Sequence, residues 1–402
     1  MRLLHTSDWH LGRAFHGESL LREQEQAIDR MVEIVPDQGV ELVVIAGDLY
    51  DRAIPPADAV RLFDEALTRL RSCGAVVVAI AGNHDSATRV GINDRLLAHA
   101  GVTVRGDTSR ITEPLTLSPT DGGPPVAVYP VPFLEPSVAG PILDRLEAAP
   151  ELSEDQGPRS RGLSHHDVTA QATRLIRAHA AQHRNRTVVV AHTFLDGGTT
   201  SDSERELRVG PVGHVDVVGL DAFESFDYVA LGHLHGSQGW DEGRVAYSGT
   251  PLPYSFSEEA HTKAVRIVDL APDGSCSVEE IPLGVGRRLQ TITGTLEDLL
   301  ADPTLAEAEQ ARVRVQLTDD VLPMQAMARI QARFPHAVVL QHQPAARTSP
   351  IGGAARHAIA DRVSPIELSS RFWLDQHGVD ATDAQLAILA AGLEAATGQD
   401  AR

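Results

Sequence analysis

Cysteine is nearly missing from this chain. Cys73 and Cys276 are the only two, far apart and in no metal-like spacing, which excludes a disulfide-built scaffold and a thiolate zinc site. Lysine is scarcer still: Lys263 stands alone, and every other basic side chain is arginine. Guanidinium groups suit phosphate recognition, although genome-wide codon bias is enough to produce the skew. Positive charge as a whole is short, with 35 basic against 55 acidic residues and a net charge of −20. That balance excludes a broadly basic protein that coats nucleic acid, while leaving room for a local basic groove or a metal site that meets phosphates. No apolar run reaches the roughly 18 residues that span a bilayer. The opening "RLLHTSD" enters a strand-like pattern at once, so no signal peptide is expected and the cytoplasm is the expected compartment. What is present is a 42% hydrophobic chain of 402 residues, too long for one ordinary core and consistent with two or three domains.

Up to about residue 282, apolar runs such as "VELVVIAGD" (40–48), "AVVVAIAGNHDS" (75–86), "RTVVVAHT" (186–193) and "DYVALGHLH" (227–235) alternate with amphipathic helical stretches such as "DAVRLFDEALTRLRS" (58–72). Such alternation predicts a layered α/β domain. Residues 147–162 are polar and non-periodic and read as a surface loop. Over 283–343 the rhythm becomes a small βαβαβ unit, a second domain. Residues 344–363 have linker composition, and 364–402 hold two helices with capping-box starts at Ser364 and Thr382, with Gly398 as a stop for the second.

Five of the apolar runs end in metal-ligand chemistry. They deliver Asp8 and His10; Asp48 and Asp51; Asn83, His84 and Asp85; His192; and His233 with His235. One polar residue at a strand end is an ordinary turn former, but five independent strands with the same habit point to a metal centre. Carboxylate, imidazole and amide oxygen without thiolate suit manganese, iron or zinc. Asp8, His10, Asp48, Asn83, His192, His233 and His235 exceed what one open ion needs. A carboxylate shared by two ions accounts for them, and paired ions about 3.5–4 Å apart serve phosphoester hydrolysis. His84 is left over as a nearby group able to stabilise developing charge and protonate a leaving oxygen. Asp85 reads as a brace for its loop. Arg13 and Arg52 follow ligand-bearing loops and are candidates for phosphate contact or for ordinary salt bridging. His165, His166, His179, His183 and His261 read as surface residues, and Tyr247, Tyr254 and Phe256 as packing.

The motifs "DWH", "GDLYD", "GNHD", "AH" and "GHLH", in that order, resemble the calcineurin-like metallophosphoesterases. "LHTSDWHLG", "IAGDLYDRAIPP" and "YSGTPLPYSFSE" resemble more narrowly the SbcD nuclease subunits within that family. The resemblance implies a calcineurin-like β-sandwich flanked by helices, with residues 283–343 as a capping domain and a C-terminal helical tail. It implies one ion on Asp8, His10, Asp48 and His235 and another on Asp48, Asn83, His192 and His233, with manganese the expected metal. His84 falls at the family's catalytic histidine, and Asp51 at a position whose carboxylate orients it. The implied function is DNA exonuclease and endonuclease action on ends and hairpins, in repair, recombination and replication. The implied partners are DNA and an SbcC-like SMC-type ATPase that docks the 364–402 helices, with a homodimer inside a heterotetramer. The alternatives are a stand-alone enzyme for small phosphoesters and, for the two helices, folding back onto 283–343.

Overall fold

A computed structural model describes residues 1–148, 163–204, 217–344 and 379–399, together with 366, 369, 370, 373 and 374. The expected 147–162 loop (beyond residue 148), 344–363 linker (beyond residue 344) and first C-terminal helix (but for these five residues) lie outside the described residues. The chain divides into two compact units, Met1–Thr291 with Gln310–Arg314, and Ile292–Glu309 with Val315–Arg402.

The first unit is a sandwich of two six-stranded sheets. One runs Cys276–Pro282, Ala264–Leu270, Arg2–Thr6, Leu42–Ile45, Val76–Ile80, Val102–Arg105, and the other Gln238–Trp240, Val245–Tyr247, Tyr228–Gly232, Arg186–His192, Val126–Val131, Leu115–Leu117. The inner strands of each are parallel, as their uninterrupted apolar runs imply, because both faces are covered. Antiparallel pairs close the edges at Ala264–Leu270 with Cys276–Pro282, and at Gln238–Trp240 with Val245–Tyr247.

Alternate residues explain the layering. Leu3, Val44, Val78 and Ile80 of the first sheet meet Val128, Val188, Val190 and Ala230 of the second in the central core. Their neighbours Leu4, Val43, Ile45 and Val77 face outward, onto Ile28, Met31, Leu62, Phe63 and Ala66 of the helices Leu21–Asp37 and Ala57–Ser72. On the other side, Leu143, Val168 and Ile176 of Pro136–Glu147 and His165–Ala180 cover Val189, Val229 and Leu231. The expected flanked sandwich is therefore observed, with antiparallel edge strands that periodicity alone did not reveal. Of the five histidines read as surface residues, His165 needs correction. His165 is buried against Phe133, His166 Nδ1 accepts from the Gly219 amide at 3.1 Å, and His179 Nδ1 meets the Tyr129 hydroxyl at 3.0 Å. His166 and His179 are half-buried, while His183 and His261 are exposed.

The three-stranded sheet of the C-terminal region is built from Leu289–Gly294, Arg312–Leu317 and Ala337–His342. Helices Leu296–Ala301 and Ala326–Arg333 stand between its strands in sequence. Thr295 caps the first of these through Asp298 N–H. Asp383–Gln399 is helical, begun by Thr382, whose amide and hydroxyl donate to Gln385 Oε1 at 2.9 and 2.8 Å. It runs through Gly398 and does not stop there.

Candidate metal centre

Parallel strands aim their carboxyl ends the same way, so the loops that follow Thr6, Ile45, Ile80, His192 and Gly232 gather at one end of the sandwich. Asp8, His10, Asp48 and His233 adopt positive φ, at 52°, 45°, 48° and 118°, a conformation that L-residues adopt at a cost. Four such residues among seven candidate ligands mark a cluster held in place by its surroundings. The motif glycines have the same cause. At Gly47, with φ 90°, a Cβ would lie 2.3 Å from His192 Nδ1, and at Gly82 one would lie 2.2 Å from Asp48 Oδ1.

The structure brings all seven candidate ligands together. Nε2 of His10 and of His235 lie 3.2 Å apart. Asp48 Oδ2 is 3.6 Å from both His10 Nε2 and His192 Nε2. Asn83 Oδ1 is 2.8 Å from His192 Nε2 and 3.2 Å from His233 Nδ1. The Asp8 carboxylate receives the His233 amide at 3.1 Å on each oxygen. Asp8, His10 and His235, and separately Asp8, Asp48 and His192, offer ligand atoms within 4.8 Å of one another.

This donor set fits cations. His192 Nδ1–H donates to the Ala46 carbonyl at 2.9 Å, which leaves the Nε2 lone pair facing Asp48 and the Asn83 side chain. His10 Nδ1 is buried without a hydrogen-bond partner among the described residues. Burial pushes the Asp8 carboxyl up to about 8. It pulls His192 down to about 3 and His235 to about 4, and holds His10 and His233 well below the ordinary imidazole range. Neutral imidazoles are the metal-binding form. A desolvated carboxylate beside them is stabilised by a positive charge, and divalent metal ions are what this site is built to hold.

The remaining candidates take distinct places. His84 is half-buried, its Nε2 3.9 Å from Asp48 Oδ2. Its Nδ1 meets Asp51 at 2.9 Å, but through the backbone carbonyl and not through the carboxylate. The Asp51 carboxylate instead lies 3.5 Å from Arg13 and 4.0 Å from His10 Nδ1. The expected side-chain orienter is thus a main-chain one, a difference no residue type could announce. Asp85 accepts from the amides of Gly82, Leu49 and Tyr50 at 2.9–3.0 Å and braces the loop. Arg13 donates to Ser203 O at 3.0 Å and lies over the Tyr254 ring at 4.9 Å, so it is built into the wall of the site. Arg52 is exposed. Tyr247, Tyr254 and Phe256 are buried.

Several supporting residues escaped the sequence reading. Gln24 Nε2 donates to the carbonyls of Trp9 and His10 at 3.1 and 2.7 Å. Glu204 accepts the His235 amide at 2.7 Å. Ser203 and Glu258 stand behind His235, and the lone lysine pairs with Glu258 at 2.6 Å. Glu, Ser and Gln on loops carry no signal of their own. The solitary Lys263 was the one available hint.

Residues 1–237 match the family model described as calcineurin-like phosphoesterase, and residues 285–377 match one described as the type 5 capsule protein repressor C-terminal domain, SbcD_C. The SbcD subunit of the SbcCD nuclease of Bacillus subtilis is 36% identical over 297 residues, spanning 72% of this chain and 71% of that protein. The corresponding SbcD protein of Staphylococcus epidermidis is 28% identical over 85% of each. Among solved structures, TT1561 of Thermus thermophilus overlaps 69% of this chain and 98% of its own, at 14% identity and a TM-score of 0.38. Among the described residues no helix is long and apolar enough to cross a membrane. With a phosphoesterase match over more than half its length and a B. subtilis relative aligned along most of both proteins, the chain belongs to the calcineurin-like phosphoesterase family, in its SbcD nuclease branch.

Proposed function

We propose that this chain is the metal-dependent nuclease subunit of a DNA-processing complex, cutting phosphodiester bonds at DNA ends and hairpins, with its location in the cytoplasm. The observation that carries the reading is the gathering of five strand-end loops at one centre around Asp48, His10, Asn83, His192 and His235, in a chain whose C-terminal region also matches the SbcD type. In this reading Asp8, His10, Asp48 and His235 hold one divalent ion and Asp48, Asn83, His192 and His233 a second, manganese being the favoured metal. Bound there, such ions supply an activated water and polarise the phosphoryl oxygens. His84 does the proton work. Its Nδ1–H donates to the Asp51 carbonyl, which leaves Nε2 turned toward the centre. In its protonated form His84 donates from Nε2 to the departing oxygen. Asp51 contributes its carbonyl to that orientation.

DNA recognition is the weaker electrostatic term, because the chain carries a net −20 and affinity for DNA comes largely from neutralised phosphates. Arg52, exposed beside the Asp48 loop, is the residue we assign to phosphate contact, with Arg13 beside it as a wall. The rest of the affinity is assigned to the partner, an SbcC-like SMC-type ATPase, bound by the helices within 364–402. The assembly is taken to be a homodimer of this chain inside a heterotetramer, and residues 1–282, 283–343 and 344–363 to be catalytic domain, cap and linker.

The test is manganese-dependent hydrolysis of hairpin DNA, linear duplex and p-nitrophenyl phosphodiester, each with and without the ATPase. Cleavage of both DNAs that the ATPase stimulates, with co-purification of the ATPase abolished but manganese-dependent cleavage of short single strands kept when 364–402 is deleted, supports the reading. Hydrolysis of the small ester alone, with DNA untouched under all conditions, overturns it.

A further inference from the structure

We propose that Glu258, acting through the Ser203 hydroxyl, fixes the tautomer of His235, and that Lys263 holds Glu258 in place for that task. The inference rests on the reading of His235 as a metal ligand. Ser203 Oγ touches three groups: His235 Nδ1 and Glu258 Oε1, both in close hydrogen bonds, and the Ser201 hydroxyl at 3.0 Å, whose own proton can point at Ser203. Glu258 is almost wholly buried and ion-paired with Lys263 at 2.6 Å, and an ionised carboxylate only accepts. The Ser203 proton must therefore point at Glu258. Its oxygen then has only lone pairs left for His235, so His235 Nδ1 must carry the ring proton. Nε2 is left as a bare lone pair, and that is the atom lying 3.2 Å from His10 Nε2.

The other hydrogen bonds to Glu258 run the same way, and His235 Nδ1 itself lies 3.8 Å from Oε1, beyond hydrogen-bond reach without Ser203 between them. Ser255 Oγ donates to Oε1 at 3.0 Å and the Tyr254 amide to Oε2 at 3.3 Å. Lys263 Nζ spends its three protons on three acceptors: Glu258 Oε2 at 2.6 Å, Thr250 Oγ1 at 2.7 Å and the His235 carbonyl at 2.9 Å. That tripod suits an ammonium and not the planar fork of arginine, which gives a physical reason for the one lysine in an arginine-rich chain. Burying such a pair is weak evidence for stability, because desolvation offsets the attraction. The pair's hold on His235, at Nδ1 through Ser203 and at the carbonyl through Lys263, points to positioning. Glu258, Ser203 and Lys263 are positioning residues, since none is itself a ligand in this reading.

The test uses the full chain with manganese as probe, titrated calorimetrically, and histidine-selective 15N NMR of the metal-free protein to report the His235 tautomer. Partners behind metal-bound histidines are worth about 10–100-fold in affinity. Glu258→Gln and Ser203→Ala are expected to weaken one of two manganese sites by that factor and to give His235 a mixed tautomer. Ser203→Thr, which keeps the hydroxyl, is expected to restore both, and Lys263→Arg to fail to do so. Should Glu258→Gln not fold, the Ser203→Ala and Ser203→Thr pair decides. Wild-type affinity together with an unchanged Nδ1–H tautomer in Ser203→Ala overturns the relay alone. Wild-type manganese binding by His235→Ala overturns the ligand reading, and the relay with it.

Discussion

Nε2 of His10 and Nε2 of His235 approach to 3.2 Å although 225 positions of chain separate them. One follows the first strand of the first sheet, the other the Tyr228–Gly232 strand of the second. Each sheet therefore supplies part of the centre, and an ion bound there would tie the two together. Metal binding and stability are linked in such an arrangement. Manganese at a hundred times its dissociation constant is expected to add about 2.7 kcal/mol to unfolding stability per ion. Chemical denaturation with manganese and with chelator checks this. Equal stability in both conditions would contradict it.

In the proposed function, His84 separates chemistry from binding. It lies 3.9 Å from Asp48 and hydrogen-bonds the Asp51 carbonyl, so His84→Ala is expected to keep both ions while losing about 10²–10⁴ in turnover. Metal analysis beside single-turnover cleavage decides. A parallel fall in metal content would assign His84 to the ligands.

Gly47 tests the close approach of the two sheets. With φ 90° and a Cβ that would sit 2.3 Å from His192 Nδ1, Gly47→Ala is expected to cost more than about 1 kcal/mol and to displace His192 from its Ala46 bond. Unfolding and manganese stoichiometry measure both effects. An unchanged stoichiometry would show that the imidazole has room to yield.

His5 sets an acid limit unrelated to the ligands. Its ring spans the sandwich to the Tyr228 hydroxyl at 2.9 Å and the Leu231 carbonyl at 3.0 Å. Burial, reinforced by the charge of Arg266, lowers it to about 3, whereas an unfolded imidazole titrates near 6.5. As pH falls below about 6.5 the unfolded chain gains a proton that the folded one refuses. Stability that is full above that pH is lost progressively toward pH 3, at up to about 1.4 kcal/mol per pH unit. In chelator-treated protein, His5→Gln is expected to flatten this slope. A slope identical to wild type would contradict the assignment.

The strands of the sandwich were legible because residues such as Leu42–Ile45 and Val76–Ile80 are apolar on both faces, and the ligand loops because their polar residues break those runs abruptly. The expectation that two ions share Asp48 rested on the number of candidate ligands and the family resemblance. Hidden from sequence were features made by backbone: the positive φ of Asp8, His10 and Asp48, the Ala46 carbonyl on His192, and the use of the Asp51 carbonyl in place of its carboxylate. Hidden too was the Glu258–Ser203 pair, since common residue types acquire a role only through the neighbours that folding gives them.

Two ions sharing Asp48 is the central claim, and anomalous diffraction at the manganese edge tests it most directly. Crystals grown with manganese are expected to show two peaks flanking the Asp48 carboxylate, one beside His10 and His235, the other beside Asn83, His192 and His233, with both weakened in Asp48→Asn. A single peak in the wild type, or two undiminished peaks in Asp48→Asn, would contradict it.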